Sequence, residues 1–554
     1  MYKQVLDPVS GSLGWSSLLA VLPLLTLFLL LGGLRMKAVT ASLISLAVAI
    51  IVAIAVYSMP FGQSMDAAAE GAAFGFFPIM WIVINALWIY NMTHESGHFA
   101  ILRQSFSAVS SDERVQAVII GFAFGALLEA LAGFGTPVAI CSVMLIALGF
   151  KPMKAVVVAL VADTAPVAFG AIAIPIVTLS QLTGISQHDL GSMVGRQTPF
   201  LALIIPFVLV AVVDGWRGIR QAWPAALVGG TVFAALQFAT SNYISVALTD
   251  IVASLGSAAA LVALMQVWQP AEPVQGRFTG PRPAIAGASV HSPALEQEMA
   301  QRERTGGAPP GEILRAYAPY IIIIAVLGIA QLKWVNNQLE SVTKEFSWPG
   351  LHVLNSKGEA PTSLTYKFNW ASAAGSLLLL SGVLSMLVLR MSPRRALRAY
   401  GATLVQLKSA IVTVMAVLAL AYVMNLSGET ITLGTWAAGA GGFFAFLSPL
   451  LGWLGTAVTG SDTSSNSLFG VLQVTAAKNA HLSPTLMAAS NSSGGVLAKM
   501  ISPQNLAIGC AAAGMAGKEG YVFRKVIGWS LLLILLMACL AYLQSKGVLS
   551  WMVV

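Results

Sequence analysis

The chain reads as an all-α polytopic membrane protein of about 12 transmembrane helices plus two re-entrant hairpins in an inverted repeat. Three observations predict this. Its 554 residues are 57% hydrophobic and only 9% charged, with a mean hydropathy of +0.80. That is more apolar surface than a water-soluble fold can hide. Two apolar stretches, GALLEALAGFGTPVAI (125–140) and GWLGTAVTGSDTSSNSLFG (452–470), are interrupted by a carboxylate and by Gly, Thr, Ser or Pro. These interruptions fall at matching places in two halves, the pattern of a transporter's substrate site.

Runs long enough to cross a bilayer fall at 15–33, 39–59, 72–92, 155–181, 197–213 and 223–240. Others follow at 250–268, 316–332, 371–390, 409–425, 485–510 and 526–546. Each takes roughly 20 residues per crossing. The first run has no basic leader or small-residue cleavage site, so it reads as a retained span. The polar-interrupted regions 115–150 and 438–480 read as the re-entrant hairpins. Loop charge sets the orientation. With the N-terminus outside, Arg35, Lys37, Lys151, Lys154, Arg217 and Arg220 fall inside, as does the run Arg390, Arg394, Arg395 and Arg398. Asp66, Glu70 and Glu429 fall outside, and both termini are external.

The units are then a first repeat (1–222), two linking spans (223–268), a cytoplasmic linker (269–315) and a second, inverted repeat (316–554). The linker is rich in Pro, Gly, Ala, Arg and Glu and has no apolar period. A second loop, 333–369, lies outside and carries mixed charge and aromatics. The net charge of +8 belongs to loop residues that set orientation, so nucleic acid is not expected as a partner. Cys141, Cys510 and Cys539 lie in apolar segments and read as buried small hydrophobes.

The repeat is visible in residues. Gly125, Leu127, Ala130, Gly133 and Thr136 match Gly452, Leu454, Ala457, Gly460 and Thr463 at an offset of 327. Asp163-Thr164 and Pro175 match Asn491-Ser492 and Pro503 at 328. An odd number of spans per unit inverts the second copy.

The chemistry is expected at the interruptions. Glu129 lies in the first hairpin; a carboxyl in hydrocarbon costs far less protonated than ionised, which suits a proton carrier. Asp462 sits among Ser461, Thr463, Ser464, Ser465 and Asn466. A helix broken there frees N–H groups that suit a carboxylate ligand. Asp163-Thr164 and Asn491-Ser492-Ser493 put small polar clusters inside apolar spans, with Pro166 and Gly494-Gly495 favouring a break. Asp163 is a further proton site. Lys499 is the intramembrane cation, set to neutralise a substrate carboxylate or to pair with Asp462. Gly133, Gly135 and Thr136 line the first tip. Arg196 reads as an interface anchor. No metal or cofactor is called for.

One motif suggests another class. His94-Glu95-Ser96-Gly97-His98 fits H-E-x-x-H, the zinc-protease spacing. It lies at a span end, Gly97 weakens the helix it needs, and no third ligand is evident.

Several stretches are more distinctive than any short motif: GFAFGALLEALAGFGTPVAI (121–140), APVAFGAIAIPI (165–176), MVGRQTPF (193–200), DGWRGI (214–219), FLSPLLGWLGTAVTGSDTSSNSLF (446–469) and GGVLAKMISPQNLAI (494–508). On these, over nearly its whole length, the chain resembles the L-lactate permease family, which includes glycolate permeases. The resemblance implies proton-coupled uptake of small 2-hydroxymonocarboxylates across the bacterial inner membrane, with paired hairpins and elevator-type motion. It departs at Asp163, where the family tends to carry Asn, and at HESGH, which is no family feature. The expectation is a symporter of lactate or glycolate with Glu129, Asp462 or Asp163 carrying the proton. A sodium-coupled carboxylate symporter of the same architecture is the alternative, since Ser, Thr and Asn oxygens also bind Na⁺. An intramembrane zinc protease using His94, Glu95 and His98 is a distant third.

Overall fold

A computed structural model describes all residues except 35, 100, 102–108, 132, 134, 275–308, 331, 356–357, 359 and 362–363. Arg35 and most of the expected linker therefore lie outside the described residues. The described residues are mainly helical, with four short strands among them: β1 (Tyr2–Lys3), β2 (Lys344–Ser347), β3 (Val353–Leu354) and β4 (Thr365–Phe368).

The helices run α1 (Leu13–Gly33), α2 (Ala38–Ala55), α3 (Phe61–Glu95), α4 (Glu113–Leu131), α5 (Thr136–Ala147) and α6 (Pro152–Ala162). Next come α7 (Val167–Thr183), α8 (Gln187–Val194), α9 (Thr198–Tyr243), α10 (Thr249–Val267) and α11 (Gly311–Ala330). The second half contains α12 (Lys333–Glu340), α13 (Ala374–Val388), α14 (Pro393–Ser427), α15 (Glu429–Ala437) and α16 (Phe444–Thr459). It ends with α17 (Asp462–Asn479), α18 (Pro484–Gly495), α19 (Pro503–Ala512) and α20 (Glu519–Gln544).

Among the described residues, 10 helices are long and apolar enough to cross a bilayer, or up to 11 with the bent pair α6–α7. The tally is close to the expected twelve, and the expected runs map onto it unevenly. Runs 197–213 and 223–240 form one helical stretch, α9, broken where Gly215 takes φ 59°. The two arms fold back on each other: Thr198 Oγ1 reaches Gln237 at one end, and Gly218 packs on the Val210 carbonyl at the other. α9 is therefore two antiparallel spans. The run at 371–390 yields only the 15-residue α13. The run at 485–510 is split by the 3₁₀ turn Val496–Ile501. Two of the ten, 113–131 and 429–459, include hairpin arms.

Proline and serine place the helix starts. α6, α18 and α19 each begin at Pro, whose missing N–H costs nothing there. Ser483 and Ser502 cap α18 and α19, satisfying N–H groups left free at a helix start. Small residues let α16 and α18 touch backbone to backbone: Gly452 packs on the Asn491 carbonyl and Gly494 on that of Pro449. In lipid, such close packing replaces the hydrophobic drive.

The loop 333–369 packs onto the helices. β2 and β4 pair antiparallel, and β1 pairs parallel with β3. The Tyr366 hydroxyl donates to the carbonyl of Phe77 at 2.7 Å, where α3 is kinked. Tyr2 and Gln4 donate to the Ser427, Asn425 and Leu426 carbonyls ending α14, at 2.7, 2.8 and 3.0 Å. Those carbonyls have no helical donors, so the N-terminus serves as their cap. Glu70 and Glu429, expected in external loops, are instead buried. Cys539 is exposed, unlike Cys141 and Cys510, because it lies on the outer face of α20.

Candidate functional site

Two helical hairpins and two broken spans meet at one place. The first hairpin, α4–α5, turns through Gly133 and Gly135, whose φ values are 55° and 78°. The second, α16–α17, turns at Gly460 with φ 77°. Only glycine enters that left-handed region without strain. The first broken span, α6–α7, bends by 63°. Pro166 lacks a donor, and the N–H of Phe169 bonds to the Pro166 carbonyl at 3.1 Å. Ala171, Ile172 and Ala173 then adopt φ of 44°, 60° and 59°. Left-handed backbone costs roughly 1–2 kcal/mol for each such residue. Strain of this kind persists where the surroundings enforce it, and it clusters at functional sites. The second broken span, α18–α19, unwinds through the 3₁₀ turn that carries Lys499.

The four pieces, with residues of α1, α2, α3 and α14, line a cavity of about 580 Å³. The first hairpin lines it with Glu129, Gly133 and Thr136, and the first broken span with Gly170, Ala171 and Ile174. The second hairpin adds Ser461, Asp462, Thr463 and Ser464; the second broken span adds Lys499 and Gln504. Three helices start at this wall, α5 at Thr136, α17 at Asp462 and α19 at Pro503. Each presents the positive end of its dipole, which favours an anion.

The central charges form a triad. Lys499 Nζ lies 2.6 Å from Glu129 Oε1 and 3.1 Å from Asp163 Oδ2. All three residues are at most 4% exposed. Among the described residues, Glu129 Oε2 and Asp163 Oδ1 have no hydrogen-bond partner. Lys499 thus pairs with the two first-half carboxylates and not with Asp462. Asp462 Oδ2 instead accepts from Ser492 Oγ at 2.5 Å and from Asn466 Nδ2 at 3.5 Å.

The other expected site residues divide. Thr164 donates to the Val161 carbonyl at 2.7 Å and Ser465 to that of Gly452 at 2.8 Å. Asn491 donates to Asn466 at 2.9 Å and accepts from Gln473 at 2.9 Å. Asn466 also donates to the Pro175 carbonyl at 3.1 Å. These four, with Ser492, Ser493 and Gly135, sit behind the cavity wall. Gly135 instead backs onto Ile508 and Asn505. Arg196 is an anchor, bonded to Asn242 and to the Met552 carbonyl at 3.0 Å each.

Sequence reasoning missed Gly170, Ala171 and Gln504. Gln504 follows the matched Pro503, so the repeat itself held the signal. Nothing in an Ala-Ile-Ala run announces left-handed backbone. The H-E-x-x-H motif does not form one helical face: α3 ends at Glu95, and Gly97 turns away at φ 79°. No group of three metal-ligating side chains occurs among the described residues.

The chain is similar to several known proteins. A family model described as L-lactate permease matches residues 16–547. The glycolate permease GlcA of Escherichia coli (strain K12) is 40% identical over 561 residues, 98% of this chain and 98% of its own. The L-lactate permease of Bacillus subtilis (strain 168) is 39% identical over 579 residues, covering 100% of both chains. That of Escherichia coli K12 is 39% identical over 565 residues, again covering 100% of both. Among solved structures, the antimetabolite efflux pump MtrF of Neisseria gonorrhoeae aligns at 15% identity with a TM-score of 0.46, over 86% of this chain and 83% of that one.

Proposed function

We propose a function from one premise: the chain belongs to the L-lactate permease family. It is a multi-pass transporter of the bacterial inner membrane. Its proposed substrates are lactate and glycolate, each imported with a proton. The observation that carries this reading is the Lys499–Glu129–Asp163 triad, in which Lys499 and Glu129 line the cavity and Asp163 lies behind them.

The charges explain the coupling. One ammonium faces two carboxylates, so the empty triad with all groups ionised carries one net negative charge. A substrate anion alone would double it. A proton taken up with the anion, on Glu129 or Asp163, restores the original balance. An ammonium has three donors, so Lys499 can hold both carboxylates and still reach a substrate carboxylate. Protonation of Glu129 weakens its hold on Lys499 and so strengthens the substrate's. The three helix starts add favourable potential. Asp462 is a second proton acceptor, next to neutral Ser492. Ser461 and Thr463 offer hydroxyls to the 2-hydroxyl group.

The two halves act as an inverted repeat, with the hairpin units moving against the remaining helices to alternate access. The cavity reaches Met36, Ala38 and Gln406, beside the basic segments assigned to the cytoplasm, so this state opens inward.

Proteoliposomes with an acidic exterior and no sodium test the reading. Labelled L-lactate or glycolate should accumulate against its gradient, and a protonophore should abolish that accumulation. Accumulation that needs sodium and ignores pH would overturn proton coupling. Absence of transport for every 2-hydroxy acid would overturn the substrate class.

A further inference from the structure

Within the GRQTPF stretch at 195–200, Gln197 and Thr198 are buried, yet the triad does not use them. Gln197, Thr198, Gln237 and Ser490 are fully buried. Gln197 Nε2 donates to Ser490 Oγ at 2.9 Å and to Gln544 Oε1 at 2.8 Å. Ser490 directly precedes Asn491 in the second broken span. Thr198 Oγ1 lies 3.1 Å from Gln237 Oε1 across the two arms of α9. Gln237 Nε2 in turn donates to Asp250 Oδ1 at 2.9 Å and to the Ala165 carbonyl at 3.4 Å.

That carbonyl has a defined need. In an unbroken helix it would accept from the N–H of Phe169. Here the Phe169 N–H bonds to Pro166 instead. A buried carbonyl left without a donor is costly, and Gln237 supplies one. Ala165 is two residues from Asp163, and Ser490 is two from Ser492, the partner of Asp462. Adjacent residues 197 and 198 thus reach both broken spans from one end of α9.

We propose that Gln197 and Gln237 are positioning residues that tie the two broken spans together through α9. Gln237 fixes the Ala165 carbonyl, with Asp250 orienting its amide. Gln197 fixes Ser490. Neither touches the cavity. Their role is to keep Asp163 and Ser492 in register around the charged groups while the spans remain non-helical.

Hydrogen exchange on the purified full-length protein in nanodiscs reads this directly. Gln237→Ala should raise exchange across 163–169 by about tenfold, since a lost hydrogen bond to a buried carbonyl eases local opening. Gln197→Ala should act in the same way across 490–496. Gln544→Ala shares the Gln197 amide but touches neither break, and both segments should exchange as in the wild type. The swap Gln237→Glu with Asp250→Asn separates positioning from packing. It rebuilds the 237–250 hydrogen bond with reversed polarity but leaves the Ala165 carbonyl without a donor, so 163–169 should stay fast. Restoration to wild-type exchange by the swap would overturn the proposal. So would unchanged exchange in Gln237→Ala, or equal effects from Gln544→Ala and Gln197→Ala. If Gln237→Ala does not fold, the swap carries the test, because its pair is complete.

Transport adds a second reading: turnover should fall in both alanine variants with KM little changed. This arm rests on the proposed function and the exchange arm does not. A wild-type chain that moves no lactate would therefore count against that function, while the exchange results decide this one.

Discussion

The two halves of the site share a skeleton and differ in charge. Each has a hairpin with a glycine turn, followed by a span broken near its middle. Yet the first half supplies two carboxylates, Glu129 and Asp163, and the second supplies the cation, Lys499. At the 328 offset Asn491 stands opposite Asp163, and Lys499 opposite Ala171; at 327, Thr456 stands opposite Glu129. The unwound segments differ as well: 171–173 is left-handed, whereas 496–501 is a 3₁₀ turn. The second half keeps its own carboxylate, Asp462, beside neutral partners. Neither half carries both the cation and the carboxylates of the triad. The charge cluster exists only where the halves meet, so relative motion of the halves would alter it.

Removing the cation should do the most damage. Lys499→Ala leaves two buried carboxylates without a counter-charge, and losing one partner of a buried ion pair costs about 3–5 kcal/mol. Thermal unfolding in detergent should occur at a clearly lower temperature, and lactate binding should be lost. Lys499→Ala combined with Asp163→Asn should recover much of the stability and none of the binding. An unaltered KM in the single variant would make Lys499 structural only.

Glu129→Gln tests the first half's main charge next. It keeps the shape and still permits a hydrogen bond near Lys499, but it cannot take a proton. Accumulation driven by a pH gradient should vanish, while lactate-for-lactate exchange continues. Undiminished accumulation would remove Glu129 as the proton carrier. Asp163→Asn makes the first half resemble the second at this position. Glu129 still pairs with Lys499 at 2.6 Å, so coupled uptake should persist with only a several-fold change in KM. Loss of coupling in this variant would move the carrier role to Asp163.

The sequence carried the membrane class, the hairpins and the identity of every charged group in the cavity. Composition and the glycine turns are local signals, and so is a carboxylate inside an apolar run. The pairing was not local. Lys499 is 370 positions from Glu129 and 336 from Asp163 in the chain, and no periodicity links them. Asp462, expected as a partner for Lys499 in alternative to a substrate carboxylate, bonds Ser492 and Asn466 instead. The hydroxyl-rich strings misled in a related way. Ser465 and Thr164 spend their hydroxyls on backbone carbonyls one turn or one helix away, which is how broken or tightly packed membrane helices satisfy polar groups. The division of α9 could be read from Asp214-Gly215, where a 46-residue helical run would otherwise span about 70 Å at 1.5 Å per residue, more than two bilayer cores.

The smallest contrast lies in two glycines. Each half rests its hairpin carboxylate against a glycine of a broken span: Gly170 under Glu129, and Gly495 under Asp462. A methyl group on Gly170 would lie 2.7 Å from Glu129 Oε1, the oxygen that Lys499 holds. Glu129 would have to turn away and stretch its ion pair. A methyl group on Gly495 would press on Asp462 Oδ1, which has no partner to lose. It would also lie 2.8 Å from Thr456 Oγ1. Gly170→Ala should therefore weaken pH-driven accumulation, as a milder form of Glu129→Gln. Gly495→Ala should mainly raise KM and lower stability by roughly the 1–3 kcal/mol that overpacking a tight core costs. Initial uptake rates at two external pH values, measured on both variants, separate these effects. If Gly495→Ala lost its pH dependence and Gly170→Ala kept it, the division of labour between the halves would be reversed, with Asp462 and not Glu129 carrying the proton.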